Sequence, residues 1–126
     1  MALFVQVMLL ISCVAAVPYF PPTCYTKVLS MAREIMERFA EVKRNPATGY
    51  CMAHLPNIYV DVHNACIMPK MRTYISLLEG LPDRSCVRNR SVHKLTATIR
   101  QLHLIMAHKC HGDLHFSTDD CAALEH

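Results

Sequence analysis

Six cysteines punctuate the chain from residue 24 onward: Cys24, Cys51, Cys66, Cys86, Cys110 and Cys121. The seventh, Cys13, sits in an apolar run, Met1 to Ala16, that reads MALFVQVMLLISCVAA and closes on the small residues Ala15 and Ala16. Such a run has the length and ending of a secretory signal peptide cleaved near Ala16. It is short for a bilayer-spanning helix, and Pro18, Pro21 and Pro22 follow at once. Cleavage removes Cys13 and leaves an even set of thiols in an exported chain, so three disulfides are expected. The six cysteines admit many pairings, and spacing alone selects none of them. Each bridge restricts the unfolded ensemble and contributes about 2–4 kcal/mol, a large share for a domain with a modest core.

The disulfides matter because the chain is small. Of 126 residues, those from 17 to 126 make one domain, large enough to bury a core but not a generous one. Apolar residues are 52% of the sequence and Gly is scarce at three, with charges of both signs spread along the chain, which describes a folded globule rather than a disordered tail. A net charge of +3 is too mild for a nucleic-acid binder, which shows a dense basic face. No second apolar stretch approaches membrane-spanning length.

Two segments carry a clear helical period. From Cys24 to Lys43, Tyr25, Val28, Leu29, Ala32, Ile35, Met36, Phe39 and Val42 recur at spacings of three and four, with Thr23 placed to cap the start. The opposite face carries Lys27, Arg33, Glu34, Glu37, Arg38 and Glu41. The second helix runs from Ser91 through Val92, Leu95, Ile99, Leu102, Ile105 and Met106, with Gly112 as its stop. Between them, Asn45 to Gly49 reads as a loop. The stretch after Leu55 is ambiguous: Pro56 suits a first helical turn, and Ile58, Tyr59, Val62, Cys66 and Ile67 fall on one helical stripe, yet Ile58, Val60 and Val62 also alternate as in a strand. Pro69 predicts a kink or a division into two helices, and Met71, Tyr74, Ile75 and Leu78 continue an apolar face to Gly80. Asp83 to Arg90 reads as a loop, and Thr118 or Asp119 caps a last turn through Leu124.

Three features invite chemistry. Asp61-Val62-His63-Asn64-Ala65-Cys66 is comparable to the helix of secreted phospholipase A2, where a histidine activates water beside a calcium-holding aspartate. Here the neighbour is Asn64 and there is no glycine-rich loop to complete an oxygen cage, so the motif reads as scaffolding. His103, His108, Cys110, His111 and His115 crowd together, but their spacing fits no zinc pattern, and cysteines in an oxidising compartment pair with each other. Arg84, Arg88, Arg90 and Lys94 form a basic run that suits a sulfated glycosaminoglycan or an acidic receptor surface. Within that run, Asn89-Arg90-Ser91 is an N-glycosylation sequon.

Read from residues alone, the chain is a secreted, disulfide-bonded, mostly helical domain with no evident catalytic site or cofactor. Three ordered blocks then carry a resemblance: Pro21-Pro22-Thr23-Cys24-Tyr25; Leu55-Pro56 followed by Tyr59 to Cys66; and Asp119-Asp120-Cys121 leading to Ala123-Leu124-Glu125. Together they resemble the cytokine-like protein 1 family, with Val87 standing where the family pattern has tryptophan. The resemblance implies a secreted, non-enzymatic signalling factor that binds a cell-surface receptor and is linked to cartilage and haematopoietic cells. It implies an all-α fold, a small disulfide-stapled helical bundle like the short-chain four-helix cytokines, since two long periodic helices and the lack of a CC or CxC pair disfavour the chemokine alternative. The rival functions are a catalytically degenerate secreted phospholipase A2-like protein and a helical lipid-binding protein.

Overall fold

The computed structural model describes residues 23–110 and 115–124. The signal peptide assigned to residues 1–16, the Pro18 to Pro22 leader, His111 and the stop at Gly112 lie outside the described residues. The described fold is helical, with four α-helices and no strands, and three disulfides staple it.

Helix α1, Cys24–Arg44, begins where Thr23 accepts the backbone N–H of Thr26 at 3.2 Å, as a capping threonine should. Its buried residues Val28, Ala32, Ile35, Phe39 and Val42 step by four and three, so one stripe faces the core. The helix stops because Pro46 disfavours helical geometry at Asn45, which is extended. The following turn is tight. Thr48, buried, donates its hydroxyl to the Val42 carbonyl at 2.6 Å, and a Cβ at Gly49 would sit 2.9 Å from the Lys43 carbonyl oxygen. Only glycine fits that approach without a shift of backbone.

A 3₁₀ turn, Gly49–Met52, leads into the ambiguous stretch, and here the helical expectation gives way. Residues 56–61 form neither helix nor strand, with Ile58, Val60 and Val62 buried and Tyr59 exposed, so burial follows a period of two through the segment. A turn follows in which the Asp61 carboxylate accepts the backbone N–H of His63 at 2.9 Å. His63 therefore lies in a turn rather than on a helix. Helix α2, Ile67–Glu79, starts only after it. Pro69 occupies its third position, where the backbone N–H has no intrahelical acceptor to lose, so Pro69 opens one helix rather than kinking or dividing it. Ile67, Met71, Tyr74 and Leu78 form its buried stripe.

The predicted loop at Asp83 to Arg90 contains a helix, α3, Arg84–Arg88. Asp83 caps it by accepting the Ser85 N–H at 2.9 Å. One residue later α4, Arg90–Leu104, begins, and its turns widen to a π-helical segment at Ile105–Lys109 that ends on Cys110. The last described element is a 3₁₀ turn, Cys121–Leu124, preceded by Asp120, whose carboxylate accepts the Ala122 N–H at 3.1 Å.

Helix α4 packs against both α1 and α2. Cys24, first in α1, is bonded to Cys110 beyond the end of α4, so these two helices run antiparallel. Glu79 pairs with Arg100, and Arg72 donates to His103 at 3.2 Å, so α2 is antiparallel to α4 as well. Phe39 and Tyr74 meet edge to face across the core, ring centroids 6.1 Å apart, and join α1 to α2. Cys51–Cys86 anchors α3 to the 3₁₀ turn, and Cys66–Cys121 ties the start of α2 to the C-terminal segment. Of the four helices α3 has five residues, so three long helices carry the core.

Candidate functional site

The motif Asp61 to Cys66 spends its polar groups on holding the chain together. Asn64 is fully buried; its side-chain NH₂ donates to the Asp120 carbonyl at 2.7 Å, and its side-chain oxygen accepts the Cys66 N–H at 3.0 Å. Around it, Ala65 N–H donates to the Thr118 carbonyl at 2.9 Å and Ser117 N–H to the His63 carbonyl at 2.8 Å. Lys70 donates its ammonium to the Leu124 carbonyl. A short C-terminal segment is thus stitched to the start of α2, and the disulfide Cys66–Cys121 lies inside the same stitch. The stitch explains why an asparagine can be buried there without cost, since both ends of its amide have partners.

His63 is engaged at both ring nitrogens. Nε2 lies 2.8 Å from the Tyr25 hydroxyl and Nδ1 lies 3.1 Å from the Asp61 carboxylate. A carboxylate at Nδ1 favours the proton there, which leaves Nε2 to accept from the tyrosine. The relay Asp61–His63–Tyr25 thereby clips the first turn of α1 to the central segment. In a phospholipase-like role this imidazole would have to activate water, and both nitrogens are already held by protein partners.

Of the group near the end of α4, Cys110 and His103 are likewise in structural use. Cys110 is bonded to Cys24, which removes its thiolate from any metal site. His103 accepts from Arg72, and its pKa is lowered by burial first, then by the positive charge of Arg72 and by His108.

The basic run places four exposed cations close together in sequence along α3 and the start of α4. Arg84, Arg88, Arg90 and Lys94 are all exposed, and none is in an ion pair among the described residues. The reason is local. On α3 the buried residue is Cys86, and Arg84 and Arg88 stand two positions to either side of it, which turns both away from the core. On α4 the buried stripe is Val92, Leu95, Thr96, Ile99 and Leu102, and Arg90 and Lys94 fall on the opposite face. Within each pair the residues are one turn apart, about 6 Å between Cβ atoms.

The carboxylate nearest in sequence, Asp83, is bonded to Ser85 and Tyr50 instead. Its pKa is lowered by the Ser85 hydroxyl first, then by the Ser85 N–H and the Tyr50 hydroxyl, whose donations leave its oxygens occupied. Arg100, by contrast, is paired with Glu79 and does not add to the face.

Two features of this surface were not visible as such in the sequence. Arg44, at the end of α1, lines a hollow of about 440 Å³ with Ser91, Glu41 and Pro46, so the tip of α1 reaches the start of α4. Asn89 serves both helices, ending α3 and capping α4. The signal for the second was present, since asparagine one residue before a periodic run is a capping residue.

Fold and surface together define a small helical protein stapled by three disulfides, with its polar motif committed to structure and a cationic outer face. The chain belongs to the cytokine-like protein 1 family: the family model described as Cytokine-like protein 1 matches residues 4–126. Cytokine-like protein 1 from Homo sapiens is 34% identical over 106 residues, covering 84% of this chain and 74% of that protein. No solved structure matches the fold. A cytokine-like function follows from that membership, and no described helix is long and apolar enough to cross a membrane.

Proposed function

We propose that the protein is a secreted, non-enzymatic signalling factor, released by cleavage near Ala16, which acts by binding a receptor on the cell surface. The family match over residues 4–126 carries this reading. The disulfide-stapled core supports it, because a small domain that must persist outside the cell gains most from covalent cross-links. The target cells implied by the family are those of cartilage and the haematopoietic lineage. The test is binding of fluorescently labelled protein, secreted from animal cells, to chondrocytes and haematopoietic progenitors. Saturable binding displaced by excess unlabelled protein is expected; binding that neither saturates nor is displaced would rule the receptor reading out.

A second interaction is favoured by the unpaired cations. Arg84, Arg88, Arg90 and Lys94 suit a sulfated glycosaminoglycan, whose closely spaced sulfates gain from a cluster of exposed guanidinium groups. Replacing all four with glutamine should lower the salt concentration at which the protein elutes from immobilised heparin. Unchanged elution would remove this face from consideration.

A further inference from the structure

The sequon Asn89-Arg90-Ser91 lies inside the basic run, between Arg88 and Arg90. The structure shows what each group of Asn89 does there. Its backbone N–H donates to the Cys86 carbonyl at 3.2 Å and closes α3. Its carbonyl accepts the His93 N–H at 2.8 Å, and its side-chain Oδ1 accepts the N–H groups of Ser91 at 2.9 Å and Val92 at 3.3 Å, which opens α4. Every group that the fold uses is therefore backbone or Oδ1. The side-chain nitrogen Nδ2 has no partner among the described residues, and the side chain is partly exposed.

N-glycosylation takes that same nitrogen. Nδ2 displaces the diphosphate of a lipid-linked oligosaccharide donor at the anomeric carbon, forming one C–N bond and breaking one C–O bond; Nδ2 gives up one proton and the lipid diphosphate leaves. The product keeps Oδ1 as a carbonyl acceptor, so the cap on α4 survives the modification. A glycan on Asn89 is compatible with this fold as it stands.

Position gives the modification a consequence. Arg84 and Lys94 are each five residues from Asn89, and Arg88 and Arg90 are its neighbours. Helical rise places all four within about 8 Å of Asn89 along the helices. A branched oligosaccharide leaving Nδ2 would occupy the space through which an extended sulfated chain must approach these cations. We infer that an N-glycan on Asn89 and a sulfated glycosaminoglycan on Arg84, Arg88, Arg90 and Lys94 exclude one another, so that glycan occupancy sets how much of the secreted protein is held by the extracellular matrix. The inference rests on the glycosaminoglycan reading of this face.

The experiment compares four forms secreted from animal cells. The wild type should carry a glycan at Asn89 by intact mass. Ser91→Ala abolishes the acceptor while leaving Asn89 to cap α4, and Ser91→Thr keeps the acceptor. The fourth form adds glutamine at all four cations to Ser91→Ala. On immobilised heparin, Ser91→Ala is expected to elute at higher salt than the glycosylated wild type, Ser91→Thr with the wild type, and the charge-neutralised form earliest or equal to the glycosylated ones. An unmodified Asn89 in the wild type would overturn the inference outright. Co-elution of Ser91→Ala with the glycosylated wild type would overturn the exclusion while sparing the glycosaminoglycan site. Co-elution of Ser91→Ala with its charge-neutralised derivative would overturn the site itself.

Discussion

Single residues in this protein carry obligations that their neighbours in sequence do not reveal. Tyr74 is 1% exposed and donates its hydroxyl to the Pro56 carbonyl, which ties the segment before His63 to the middle of α2. Burial pushes its pKa up to about 12. A spectrophotometric titration should therefore show a late tyrosine phase, and Tyr74→Phe should abolish it. The same substitution removes the hydrogen bond to the Pro56 carbonyl and is expected to cost about 1 kcal/mol in chemical denaturation, whereas an unchanged midpoint would mean that the carbonyl finds another donor. His103 gives a second handle. Its folded pKa is depressed, so the unfolded chain takes up the proton first, and its contribution to stability is lost as pH falls through the ordinary imidazole range. The drop in melting temperature between about pH 7.5 and 5.5 should be smaller in His103→Gln than in the wild type. An equal drop would place the pH sensitivity elsewhere.

At the scale of elements, legibility followed length and period. The spans of α1 and α4 could be read because each repeats its buried positions over several turns, and Thr23 announced the first of them. The segment between was not, because Ile58, Val62 and Cys66 satisfy a helical stripe while Ile58, Val60 and Val62 satisfy an alternating one. What decided between them was tertiary: the hydrogen bonds of Asn64, Ala65 and His63 to residues 117–120, more than fifty positions away. Helix α3 has one buried residue and no room for a period, so its sequence could only suggest a loop. The cations of the candidate site were legible as composition. Their unpaired state was not, nor was the Tyr25 to His63 contact across 38 residues. The C-terminal segment yields a prediction at this scale. Asn64→Ala removes the buried amide that holds it, and faster hydrogen exchange at Ala65 and Ser117 is expected, with little change in α1 or α4. Unaltered exchange at those two amides would show that the disulfide Cys66–Cys121 suffices to hold the segment.

For the molecule as a whole, the disulfides restrict the unfolded chain. Cys24–Cys110 spans 86 residues, the largest separation of the three. Closing a loop of that length restricts the unfolded chain most, by about 4–5 kcal/mol in the chain-entropy account. Replacing both cysteines with serine should lower the denaturation midpoint accordingly while leaving Cys51–Cys86 and Cys66–Cys121 oxidised in a non-reducing peptide map. A loss as small as that of a surface substitution would mean that the packing of α1 on α4 already holds the termini. The pairing also has a topological result. Cys51–Cys86 lies within the span of Cys24–Cys110, and Cys66–Cys121 crosses both, so every peptide bond from Cys24 to Cys121 is bridged by at least one disulfide. A protease that cuts the backbone once anywhere in that interval releases no fragment: the two pieces travel on as one covalent body, separable only after a reductant has acted.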